Sequence, residues 1–310
     1  MILFQMHIMW YEGKMVTETL DSLQRALDAA PDVKVKLSFC INLQTYIEKP
    51  EKGATIQMTE PFINHPVLKR KDVTIYYRND KDPFYNIADW RREAYEKDFK
   101  YTVWGESDAL LPRDFFYILG NIDIPKPHIL CFASRPMWDN SWDIVTHEKL
   151  LGYSKPCKCK RNEMEFYPHK EDCLELLDAP FKYKDYITQE QLDKFNEESG
   201  DISIVSLPDL KIDGSLLCLS GGLPTPFIAP GMRFVREDSC AENFFRIKKI
   251  PMYCVKTRLK GHNYWHPLKR TNTNATRNDE VFKKYAAASA HEMNAFLYKT
   301  QQDEMAATTS

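Results

Sequence analysis

The chain has 310 residues, 43% of them hydrophobic and 13% aromatic, enough to bury a substantial core as one large α/β domain or two closely joined ones. Its formal net charge of −2 excludes a polyanion-binding role by bulk charge alone. No apolar run reaches membrane-spanning length, and the opening MILFQMHIMWYE has neither a basic start nor a small-residue cleavage site. A cytoplasmic protein is therefore expected, with its eight cysteines kept as reduced thiols or used for a metal.

Ile2–Met9 reads as a central strand from its apolar run. Met15–Ala30 carries Val16, Leu20, Leu23 and Leu27 at helical spacing and ends at Pro31-Asp32. Val33–Ile41 alternates as a second strand, a polar loop is expected over Asn42–Asp72, and Val73–Tyr77 makes a third strand. Asp80-Lys81-Asp82-Pro83 turns the chain into a helix over Asn86–Lys97, and Tyr101–Trp104 is a strand that Gly105 is expected to break. This β-α-β-β-α-β order predicts an open α/β sheet with its ligands at the carboxyl ends of the strands.

Further on come a short helix, Asp114–Leu119, a strand, Pro127–Ser134, and an irregular cysteine-bearing segment, Trp138–Pro180. Thr188–Gln191 forms a capping box for a polar helix to Glu198. Short strands are expected at Ile202–Leu207 and Leu216–Leu219, a helix at Phe234–Ile247 and a strand at Met252–Lys256. Asp279–Gln301 is an amphipathic helix, with the tail beyond it frayed.

Four constellations carry chemistry. Glu106 and Asp108, one residue apart at a strand's end, can point at one hard divalent ion of the kind that holds substrate phosphates, although a solvated acidic turn has the same composition. Glu237-Asp238 opens a helix, where a carboxylate serves either as an N-cap or as a general base. His262 and His266 lie in a loop with Lys269, and a neutral imidazole can complete a divalent site. Cys157, Cys159, His169 and Cys173 give a C-x-C-x9-H-x3-C spacing that suits a closed tetrahedral zinc site. In addition, Arg246–Asn278 holds nine Lys or Arg and no acid, interleaved with Tyr253, Tyr264 and Trp265, a pattern that suits phosphates.

The chain resembles the family-2-type GT-A glycosyltransferases. The resemblance is carried by the first strand with Tyr11-Glu12 and the helix containing Glu18–Leu23, by Arg91-Arg92 before the strand end, by Glu106-Ser107-Asp108 in the DxD place, by Glu237-Asp238 in the place of the acidic ED element, and by His262 or His266 as the late metal-binding histidine. It implies a GT-A fold, a Rossmann-like open mixed sheet with flanking helices; the Cys/His spacing, which the resemblance does not explain, adds the expectation of a small zinc-stabilised insertion. The expected divisions are 1–135 as the nucleotide-sugar-binding half, 136–200 as the insertion with the Cys/His cluster, 201–278 as the acceptor and catalytic half, and 279–310 as the C-terminal helix and tail.

The chemistry implied is a single inverting displacement at a sugar's anomeric carbon, with Asp238, beside Glu237, taking the acceptor's proton. Mn²⁺ or Mg²⁺ would be held by Asp108 with Glu106 and His262 or His266. Arg91, Arg92, Lys260 and Lys269 would serve the nucleotide-diphosphate donor, commonly a UDP-sugar in this family, and Pro224–Phe227 would shape the acceptor side. The family's usual acid after the second strand is replaced by Cys40-Ile41-Asn42, which leaves Asp80 or Asp82 for uracil or ribose. The chain also resembles the small soluble glycosyltransferases of tailed phages, some of which modify hydroxymethylated bases, so a base hydroxyl in DNA is one expected acceptor. A saccharide or protein hydroxyl is the alternative, and a zinc-containing nucleic-acid-binding protein on an inactive GT-A scaffold is a reading from a different class.

Overall fold

The computed structural model describes residues 1–43, 59–78, 87–136, 189–206, 214–232, 236–262 and 280–309. Strand β1, Ile2–Met9, is buried at every position and lies between β2, Val35–Asn42, and β4, Tyr101–Glu106, parallel to both. A strand flanked on both edges and covered on both faces meets no water, so it reads as a run and not as an alternation. β3, Val73–Arg78, extends the parallel set beyond β2.

On the other side of β4 the sheet becomes mixed. β8, Leu217–Ser220, runs antiparallel to β4 and to β6, Ile129–Pro136, and β6 is parallel to β9, Met252–His262. Two short strands share the outer edge of β9: β7, Ile204–Ser206, and β5, Ala109–Leu110. The order is β3-β2-β1-β4-β8-β6-β9-β5, with β7 beside β9, an open mixed α/β sheet.

Helices cover both faces. Val16, Leu20, Leu23 and Leu27 of α1, Gly13–Asp28, pack with Phe115 and Phe116 of α4, Phe115–Asn121, on the face that holds Phe4, Met6 and Val103. Trp104 points the other way and joins Ala88 of α3, Ile87–Glu93, Phe245 of α6, Glu237–Ile247, and Met293 of α7, Glu280–Thr309. The period-2 alternation of β4 thus feeds two separate cores.

Four sequence expectations change. The 42–72 segment is not simply a polar loop: it contains a short helix, α2, Glu60–Ile63, and a 3₁₀ turn, Pro66–Lys69, which bury Phe62, Val67 and Leu68. Gly105 does not break β4, which continues to Glu106; a Cβ there would stand 2.5 Å from the Phe4 ring, so the glycine serves close strand packing. β9 runs six residues past Lys256, with a register shift opposite Phe132/Ala133. The C-terminal tail is helical to Thr309, since Met305, Ala306 and Ala307 are good helix formers and Glu304 pairs with Lys248. The polar helix is α5, Gln189–Glu197.

Cys40, Cys131, Cys218, Cys240 and Cys254 are buried thiols, none of them in a disulfide. Among the described residues no helix is long and apolar enough to cross a membrane.

Candidate active site

The carboxyl ends of the parallel strands bring His7, Asn42 and Glu106 to one end of the sheet, with His7 in register opposite both Cys40 and Glu106. His7 Nε2 lies 3.1 Å from Asn42 Nδ2. Burial, helped by the charge of Arg91, lowers the His7 imidazole from 6.5 to about 3, so the ring is neutral.

Over these strand ends Arg91, on α3, reaches toward α6. Its Nη1 donates to Glu237 Oε1 at 2.6 Å, and its Nη2 donates to Glu106 Oε1 at 2.8 Å and to the Gly214 carbonyl at 2.9 Å. The guanidinium carbon sits 4.6 Å from the centroid of the Trp104 ring, a cation–π placement. Its side chain is only 2% exposed. Desolvation works against the charge of Arg91, but Glu237, Glu106 and Asp238 together hold its pKa above the ordinary value.

The two acids that open α6 divide their roles. Glu237 is buried against Arg91; desolvation raises its carboxyl to about 7 against the pull of Arg91, with Asp238 and Glu106 adding to the rise. Asp238 is only partly buried and accepts the Ser239 N–H at 2.6 Å. The backbone turns into the helix through Arg236 at φ 69°. Gly214 fills the space between the groups: a Cβ on it would lie 3.1 Å from Arg91 Nη1 and 3.3 Å from both Asp238 Cβ and Glu106 Oε1.

The other half of the strand-end pair, Asp108, is fully buried. Its turn is held from α1: Thr19 Oγ1 donates to the Ser107 carbonyl at 2.6 Å, and the Leu111 N–H donates to Ser22 Oγ at 3.1 Å. Ala109, next to Asp108, pairs in antiparallel register with His262. The chain thereby brings the DxD-like turn and the late histidine together at the backbone.

Three of the cations expected at the donor, Arg91, Arg92 and Lys260, have partners within the chain. Arg91 is committed to carboxylates and a carbonyl. Arg92 pairs with Asp89 at 3.2 Å and donates to the Met232 carbonyl. Lys260 is buried, with its ammonium on the Ser215 carbonyl and, at 2.9 Å, on Ser215 Oγ. All three donate to carbonyls or acids of this chain, as buried and half-buried polar groups do. Other cations of the basic stretch are similarly engaged: Arg246 with Glu242, Lys248 with Glu304 and Arg258 with Asp114.

Asp80, Asp82, Cys157, Cys159, His169, Cys173, His266 and Lys269 lie outside the described residues, and so does the His262 side chain. Among the described residues no group of three or more His, Cys, Asp or Glu is placed to hold a metal. Sequence reading overlooked His7, Asn42, Gly214 and Ser215. His7 had a signal, a polar residue inside an otherwise apolar strand; the Gly214 and Ser215 backbone had none.

No protein-family model matches the chain, and no curated protein sequence matches it. Part of it is similar to solved structures of LgtC. A structure of the galactosyltransferase LgtC in complex with donor and acceptor sugar analogs is 12% identical over 51% of this chain and 52% of that chain, with a TM-score of 0.28. An active-site mutant of LgtC is 13% identical over 42% of this chain and 46% of that one, also at 0.28. The matched portion spans about half of each of those chains.

Proposed function

We propose that this chain is a glycosyltransferase of the GT-A type that moves a sugar from a nucleotide-diphosphate donor to an acceptor hydroxyl with inversion. One observation carries the reading: Glu106, at the end of a parallel strand, and Glu237-Asp238, at the start of a helix 131 residues later, meet around Arg91 and Gly214. Ligands of open α/β sheets bind at this end of the strands. Asp238 is the general base, since it is partly exposed at the start of α6, whereas Glu106, also partly exposed, is paired with Arg91. Glu237 is held under it and touches no acceptor.

The donor chemistry fits a hard divalent ion. Asp108 lies at the strand end, and its neighbour Ala109 pairs with the backbone of His262. Asp108, with Glu106 and His262, would hold Mn²⁺ or Mg²⁺, which when bound offsets charge on a leaving diphosphate. Glu106 also meets Arg91, so ligation falls chiefly on Asp108. A UDP-sugar is the donor proposed. A structural Zn²⁺ on Cys157, Cys159, His169 and Cys173 rests on their spacing alone.

Of the possible acceptors, the saccharide or protein hydroxyl gains on the DNA-base hydroxyl. Arg246, Lys248, Arg258 and Lys260 carry partners within the chain, which leaves the DNA reading to the exposed Lys249 and to Lys256, Lys269, Arg270 and Arg277, whose side chains lie outside the described residues. Nucleotide-sugar turnover with Mn²⁺ tests the proposal. Asp238→Asn should lower transfer on the order of 10²-fold or more while nucleotide binding persists. Full activity of Asp238→Asn would remove the assignment of the base, and no turnover of any nucleotide sugar by the wild type would remove the transferase.

A further inference from the structure

Building on the transferase reading, we infer that Arg91 is a positioning residue, the strut that sets the first turn of α6, and with it Asp238, against the end of β4. Its two terminal nitrogens are spent on Glu237, Glu106 and the Gly214 carbonyl at 2.6, 2.8 and 2.9 Å, and its flat face rests on Trp104. A guanidinium that is 2% exposed and bonded to those partners is not on the surface that a donor phosphate would meet.

The three contacts come from three parts of the chain. Glu106 ends β4, Gly214 precedes β8, and Glu237 is the residue next to the base in the first turn of α6. In a helix's first turn, fixing one side chain fixes the backbone of its neighbour. Holding Glu237 therefore aims Asp238, which stays partly exposed, without using the Asp238 carboxylate. Only a planar fork can do this. Two N–H vectors diverge from one carbon to meet two carboxylates on different elements, whereas an ammonium is a single point with no fixed plane. Charge agrees with geometry, because Glu237, Glu106 and Asp238 all stabilise the charged Arg91.

The test uses the full chain with Mn²⁺, with UDP as the binding probe and the nucleotide sugar turned over by the wild type as substrate. Arg91→Lys, Arg91→Met and Glu237→Gln are compared. Arg91→Lys should keep UDP affinity within about 3-fold of wild type while kcat falls on the order of 10²-fold, the loss typical of a displaced catalytic group. The double variant Arg91→Met/Glu237→Gln should lose little beyond the worse single variant, as groups acting as one unit do. The strut is overturned if UDP affinity falls tenfold or more with kcat kept, which would make Arg91 a donor ligand. Additive losses in the double variant overturn it as well.

Melting temperatures separate this outcome from failure of the transferase reading. If the wild type turns over no nucleotide sugar, the thermal shifts of the same variants still decide the strut: non-additive shifts for Arg91→Met and Glu237→Gln uphold it, and additive shifts sink it. Should Arg91→Met not fold, Arg91→Lys, which keeps the positive charge, gives the same cycle with Glu237→Gln.

Discussion

Arg91 and Glu237 stand 146 residues apart in the chain and meet with Nη1 on Oε1 at 2.6 Å. The contact joins α3, which leads into the parallel strands, to α6, which leads into β9 on the mixed side of the sheet. One cation between Glu237 and Glu106 leaves the cluster an excess of negative charge in a buried place. Desolvation answers by holding a proton on Glu237 to a higher pH, which keeps the group nearer neutrality.

That proton makes a prediction with a sign. Glu237 goes from an ordinary 4.5 to about 7 in the fold, so its contribution to stability is fully present below 4.5 and is lost as pH rises through 7. His7 moves the other way, from 6.5 to about 3, so its contribution is present above 6.5 and is lost as pH falls toward 3. Between 4.5 and 6.5 the two slopes oppose each other. Urea midpoints against pH should show it. Glu237→Gln steepens the rise of stability with pH in that window, and His7→Gln turns the slope downward. Identical slopes in wild type and both variants would contradict the assignment.

Two glycines should separate activity from stability. A methyl on Gly214 meets Arg91 Nη1 at 3.1 Å and side-chain atoms of Asp238 and Glu106 at 3.3 Å, none of them backbone, so these groups must give by a few tenths of an ångström. Gly214→Ala should therefore cost about 1 kcal/mol or less in stability but lower kcat on the order of tenfold, through displaced acids. A methyl on Gly221 meets the Phe99 carbonyl at 2.4 Å and the Lys97 carbonyl at 2.6 Å, and backbone cannot yield so easily. Gly221→Ala should cost about 3 kcal/mol or more. Melting curves and initial rates on both variants check the contrast.

The parallel half of the sheet was open to sequence reading because β1 is buried along its whole length and its crossover helix carries a clear apolar stripe, Val16, Leu20, Leu23 and Leu27. The strand-end acids and the helix-start acids were also legible as carboxylates at element boundaries. Their relation through Arg91 was not, because nothing local in Ala88–Arg92 says that a guanidinium will find partners 15, 123 and 146 residues away. The same limit applies to Lys260, expected at the donor: nothing near it in the sequence says that its ammonium meets Ser215, 45 residues away. Local chemistry names candidates, and register decides which of them face the ligand.

Lys260 gives a third prediction. Its buried ammonium bonds the Ser215 carbonyl and hydroxyl, next to the Gly214 carbonyl that Arg91 holds, so the two cations pin adjacent residues. Lys260→Met removes the donor and leaves Ser215 oxygens in a dry site, at a cost of about 1–3 kcal/mol. The loss should appear as a lower urea midpoint, and UDP affinity should change by less than about 3-fold. A tenfold fall in UDP affinity at unchanged stability would return Lys260 to the donor site.

The metal prediction turns on Asp108. Its carboxylate is fully buried in a turn fastened by Thr19 and Ser22, and the adjacent Ala109 is paired with His262. A ligand that binds only the folded chain stabilises it by about 2.7 kcal/mol at a hundred times its Kd. With UDP at that excess, Mn²⁺ should therefore raise the melting temperature of the wild type by several degrees, with little effect from either component alone. Asp108→Asn keeps the size of the side chain but removes the charge that a hard cation needs, so it should abolish the joint shift. Its own melting temperature without ligand should fall little, since Thr19 still holds the Ser107 carbonyl and Ser22 still accepts from Leu111. If Asp108→Asn keeps the full Mn²⁺-dependent shift, the ion is held elsewhere. If the wild type shows no joint shift, the turn is structural and the acids around Arg91 act without a metal.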